Sequence, residues 1–63
     1  MPVSVAELRQ ILERLRLEAA EFRSLSDVVT DRSTKGTLDS ATADLSMLAD
    51  QLEQFIRSIE LLL

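Results

Sequence analysis

Sixty-three residues without cysteine or histidine rule out a disulfide-stapled fold and any Cys/His metal site, so folding must come from apolar burial in one small domain. Seven basic residues against eleven acidic ones leave a net charge of −4, which argues against nucleic acid and anionic membranes as partners. Glycine and proline occur once each and 29% of residues are charged, a composition suited to helices with solvated faces.

The chain opens Met1-Pro2, which reads as the natural start of a whole small protein with no signal peptide. Ser4 and Glu7 form a capping box, with Val3 and Leu8 at the positions of a hydrophobic staple and Pro2 just ahead. From there a ladder of Val5, Leu8, Leu12, Leu15, Ala19, Phe22, Ser26 and Val29 steps by three and four, the spacing that keeps side chains on one helical face. The pattern predicts a first helix over about residues 4–30. Arg9/Glu13, Arg14/Glu18 and Arg23/Asp27 stand at i,i+4, where ion pairs support a helix modestly.

Thr30 to Thr37 holds no large apolar side chain and contains Gly36. This stretch predicts a loop over about residues 31–37, with Gly36 free to take a left-handed turn and Thr37 as N-cap of a second helix. A variant of the same reading runs the first helix to about Lys35 and turns tightly at Gly36-Thr37. One continuous rod fits less well, because the ladder phase is lost here and glycine costs about 1 kcal/mol inside a helix.

The second ladder reads Leu38, Ala41, Leu45, Leu48, Leu52, Phe55, Ile59 and Leu62, and predicts a helix over about residues 38–62. Pairing Leu8 with Ile59, Leu12 with Phe55, Leu15 with Leu52 and Ala19 with Leu48 gives a constant index sum of 67, as an antiparallel fold-back requires. The expected architecture is an all-α, coiled-coil-like antiparallel helical hairpin, one helix–loop–helix domain over residues 1–63. The end at Leu61-Leu62-Leu63 leaves the C-terminal boundary open.

Apolar residues spill beyond the seam. Ile11 and Leu25 flank it on the first helix, and Ala49, Ile56 and Leu63 flank it on the second, while Leu17, Met47 and Leu61 lie farther round. Two helices alone offer a chain of this size little core, and self-association is the usual remedy. These five flanking residues are therefore the expected partner interface, and two hairpins about a two-fold axis the expected four-helix bundle.

Arg9, Arg16 and Arg23 repeat every seven residues and form a stripe along the first helix. Such a stripe suits phosphate or an acidic partner; it also suits a solvated flank whose arginine stems cover apolar edges. No Tyr or Trp is present to stack on bases, and Glu7, Glu13, Glu18 and Glu21 dilute the positive field. Helix 2 is acidic through Asp39, Asp44, Asp50, Glu53 and Glu60. The serines and threonines have no histidine to act as base, and no Gly-rich loop is present to cradle phosphate. The expectation is no enzyme, no cofactor and no metal. The leading function is a cytoplasmic protein–protein interaction module (regulator, adaptor or chaperone) that pairs with itself and with another protein. An RNA-binding regulator using the arginine stripe ranks second, and a purely structural oligomerisation module third.

Overall fold

The computed structural model describes residues 3–63. Pro2, which the sequence sets ahead of the first cap, lies outside them. Two helices, α1 (Val5–Val28) and α2 (Arg32–Leu62), pack against each other as an all-α hairpin. The molecule measures 48 × 18 × 14 Å. Its length is that of α2 itself, since 31 residues at about 1.5 Å each span about 46 Å. Its thickness is that of one layer of helices.

The start of α1 shows the Ser4 half of the expected capping box, without a return bond from Ser4 N to the Glu7 carboxylate. Ser4 is extended (φ −77°, ψ 159°), its hydroxyl accepts from the Glu7 amide at 3.2 Å, and its carbonyl accepts from Leu8 N at 3.1 Å. The hydroxyl bond engages one of the orphan donors at this helix end, and the carbonyl bond is the first of the helix ladder.

The turn departs from both sequence readings. Only Val29, Thr30 and Asp31 separate the helices, and α2 begins at Arg32 rather than near Leu38. Asp31 is the N-cap in place of Thr37. One of its carboxylate oxygens accepts from Thr34 N at 2.8 Å and from Thr34 Oγ1 at 2.7 Å. These bonds, the hydroxyl's first, hold the Asp31 carboxyl below its usual value. Thr37 sits within the helix and donates back to Ser33 O at 3.1 Å. Gly36 is helical, with no left-handed backbone, and a Cβ built there meets nothing within 4 Å. A carboxylate that binds two donors of the first turn starts a helix more strongly than a later threonine, and the polar residues that follow stay wet without breaking it.

Lys35 then ties this early start to α1. Its Nζ donates to Ser26 O at 2.7 Å and to Ser26 Oγ at 3.3 Å. The last turn of α1 has no basic residue of its own, so Lys35 supplies the cation that a helix C-terminus favours. Ser26, buried in the seam, donates its own proton to Asp39 Oδ1 at 2.5 Å. Thr42, the other buried polar seam residue, donates to Leu38 O at 2.8 Å. Among the described residues no buried side-chain polar atom lacks a partner.

All eight residues of the α1 ladder are buried or half-buried, as expected. On α2 the row Leu38, Leu45, Leu52 and Ile59 also faces α1. The alternate row is different. Ala49 and Ile56, expected on the flank, are 0% and 1% exposed, whereas Leu48 and Phe55, expected in the seam, are 52% and 56% exposed. Helix α2 is thus turned about its axis, with Thr42, Ala49 and Ile56 inward and Ala41, Leu48, Phe55 and Leu62 on the side. The expected pairings of Leu12 with Phe55 and Ala19 with Leu48 fall with that rotation. Leu12 instead clusters with Ala49 and Ile56, and Val5, Leu8, Leu15 and Leu52 pack around them.

Two stability measurements check this geometry. Gly36→Ala should stabilise the protein by about 0.5–1 kcal/mol, because alanine favours a helix that has room for its methyl group. A loss of stability in urea titration would return Gly36 to a left-handed turn. Ile56→Ala should cost about 2–5 kcal/mol through a core cavity, while Met47→Ala on the outer face should cost less than about 1 kcal/mol. Equal costs at matched protein concentration would mean that α2 is turned another way.

Candidate interaction faces

The two sides of the hairpin are built from residues that flank the buried rows. Arg9, Arg16 and Arg23 stand three residues before Leu12, Ala19 and Ser26; Ser46, Glu53 and Glu60 stand three before Ala49, Ile56 and Leu63. That spacing puts each set on one flank of its helix, and in an antiparallel pair equivalent flanks meet. The ion pairs confirm the meeting. Arg9 Nη2 bonds Glu60 Oε2 at 2.5 Å, and Arg16 Nη2 bonds Glu53 Oε1 at 2.8 Å and Asp50 Oδ1 at 3.3 Å. Arg57 adds a contact of 3.0 Å to the other Glu53 oxygen.

These contacts set the electrostatics of the side. The Arg16 hydrogen bond, helped by the charge of Arg57, holds the Glu53 carboxyl below its usual range. The same hydrogen bond pushes the Arg16 guanidinium upward against the opposing effect of desolvation. The arginine stripe read from sequence is therefore largely occupied within the chain. Arg9 and Arg16 reach across to α2 rather than along α1 to Glu13 or another near neighbour. Arg23 makes no ion pair among the described residues. It borders an open groove with Asp39, Thr42, Ala43, Ser46, Met47 and Asp50.

The opposite side is apolar. Ile11, Glu18 and Leu25 stand three residues after Leu8, Leu15 and Phe22; Ala41, Leu48, Phe55 and Leu62 stand three after Leu38, Leu45, Leu52 and Ile59. Ile11, Leu25, Leu48, Phe55 and Leu62 are all exposed large hydrophobics. Of the interface residues named from sequence, Ile11 and Leu25 lie on this side, Leu63 is exposed at the end of α2, and Ala49 and Ile56 belong to the hairpin's own core. Sequence reasoning missed Leu48, Phe55 and Leu62 as surface residues. The signal that finds them is the acidic row at Glu53 and Glu60, spaced to match Arg9 and Arg16.

Among the described residues no group of three or more carboxylate, histidine or cysteine side chains is placed to hold a metal ion, and no helix is long and apolar enough to cross a membrane. The chain matches no protein-family model, no curated protein and no solved structure.

The Arg16–Glu53 contact has a sign that can be checked by pH. A carboxyl lowered on folding contributes stability above its ordinary value of 4.5, and that contribution is lost as pH falls through the lower folded-state value. Arg16→Gln should move the Glu53 titration, followed by NMR of its side-chain carboxyl, upward toward the ordinary value. Arg57 should retain a remnant of the shift. An unmoved titration would assign the whole effect to Arg57.

Proposed function

We propose that this chain is a small acidic helical module for protein–protein interaction, a regulator, adaptor or chaperone, that acts as a homodimer in the cytoplasm and performs no catalysis. The carrying observation is the imbalance between core and surface. Among the described residues the buried apolar side chains are Leu12, Ala19, Ala49 and Ile56, while eleven large hydrophobics from Val3 to Leu63 stay exposed. A single layer of two helices that leaves so many apolar side chains in water favours association. The net charge of −4 supports a protein partner over nucleic acid, and the cysteine-free composition is compatible with a reducing compartment. The pairing of Arg9 and Arg16 with α2 carboxylates weighs in the same direction, since those guanidiniums are engaged before any phosphate arrives.

The test is a pull-down of the full chain from native lysate, washed at rising salt and analysed for both protein and nucleic acid, beside light scattering on the purified protein. The expected result is a salt-resistant protein partner and a mass of twice the 7.1 kDa chain at micromolar concentration. Salt-sensitive RNA that disappears when Arg9, Arg16 and Arg23 are replaced by Gln would overturn the reading in favour of an RNA-binding regulator.

A further inference from the structure

One side of the hairpin is closed by its own ion pairs; the other is open and apolar. On the first, Arg9 and Arg16 meet Glu60, Glu53 and Asp50, so two of the three stripe arginines already have counterparts within the chain, and Arg23 borders the open groove. On the second, α2 contributes Ala41, Leu48, Phe55 and Leu62 with no charge among them, and α1 contributes Ile11 and Leu25 with Glu18 between. Leu48, Phe55 and Leu62 recur every seven residues. Together with Leu45, Leu52 and Ile59 they form a second ladder of three-and-four spacing on α2, overlapping the one that α1 occupies. That is the surface a further helix packs on.

The area points to what covers it. A compact monomer of 7.1 kDa exposes about 4,100 Å² by the usual scaling of surface with mass. This chain exposes 5026 Å². The excess, roughly 900 Å² per chain, belongs to the whole single-layer hairpin and is of the same order as the roughly 800 Å² that each partner buries in a stable interface. A second copy brings the same apolar side, so a two-fold axis makes the surface its own complement and turns one layer into two.

We propose that a second copy of this chain docks on the side formed by Ile11, Leu25, Leu48, Phe55 and Leu62, centred on Leu48 and Phe55, and that the arginine side stays outside the contact. This rests on the homodimer reading above and assigns it a face. Glu18 is the one charge in the rows, which places the centre of the contact on α2 rather than α1.

The double variant Leu48→Glu/Phe55→Glu should retain its helical circular dichroism and run at the mass of one chain, with dissociation at least about 100-fold easier. The control Leu17→Glu/Met47→Glu, on the outer faces, should remain a dimer. The chain has neither Trp nor Tyr, so Phe55→Trp makes a clean single reporter should the double variant fail to fold. Its emission should be blue-shifted in the dimer and move to the red on dilution. A monomeric wild type overturns both the homodimer reading and this face. A dimeric wild type whose double variant still dimerises overturns this face and leaves the homodimer standing. Indole emission from the Phe55→Trp variant that is typical of water at every concentration does the same. Loss of the dimer in the control as well as the double variant overturns it too, because the contact would not discriminate between faces.

Discussion

Arg16 reaches from α1 to Glu53 and Asp50 of α2, and Arg9 reaches to Glu60. Exposed pairs of this kind contribute little to the stability of any one conformation. Their effect is to choose between conformations. Helix α2 has two ladders of identical spacing, one through Ala41, Leu48 and Phe55 and the other through Thr42, Ala49 and Ile56, both sharing Leu38, Leu45, Leu52 and Ile59. Apolar burial alone favours the first, whose residues are larger. That rotation, however, sets Arg9, Arg16 and Arg23 against the flank holding Ala49, Ile56 and Leu63, and sets Ile11 and Leu25 against the flank of Asp44, Gln51 and Ser58. The observed rotation matches guanidinium to carboxylate on one side and apolar to apolar on the other. Mismatched flanks penalise the competing arrangement, so the charges act as specificity.

The turn shows the same division between what drives folding and what fixes it. Reversing the chain in three residues leaves carbonyls exposed at the end of α1 and amides at the start of α2. Asp31 answers one of the amides, that of Thr34, and Lys35 answers the carbonyl of Ser26. Ser26 is buried, yet it both accepts from Lys35 and donates to Asp39, so its hydroxyl is satisfied on both counts. A leucine at this seam position would bury more apolar surface and would break the connection that sets where the two helices begin and end relative to each other.

How much of this is legible in the sequence depends on whether one pattern competes with another. Helix α1 has a single ladder and an unambiguous cap at Ser4, and both stand in the structure as the sequence spells them. Helix α2 has two ladders, and periodicity cannot separate them; a constant index sum supports an antiparallel pair without testing which row faces inward. The deciding information is present in the charges, because Arg9 and Arg16 are spaced like Glu53 and Glu60, but it emerges only when the flanks of both helices are considered together. The turn is misplaced by sequence reasoning for a local reason and a tertiary one. Gly36 draws the boundary toward itself, although an exposed glycine early in a helix costs only about 1 kcal/mol. The tie from Lys35 to Ser26 joins residues whose proximity exists only after the chain has folded back.

The ambiguity of α2 and its exposed apolar side have one origin. A helix with a narrow seam can be satisfied by one neighbour, and its other residues can all be polar. A helix with two overlapping ladders around a shared central row has a stripe too wide for one neighbour to cover, whichever way it turns. The charges on one flank decide which half of that stripe α1 covers, and they leave the other half, Leu48 and Phe55 at its middle, in solvent. Removing that exposure by polar substitution would give a better-behaved isolated hairpin, but one resting on Leu12, Ala49, Ile56 and the few residues packed around them. Such a core is small for a chain of this length. In the proposed dimer the wide stripe would link the stability of each hairpin to its partner copy, so that folding and association would draw on the same residues.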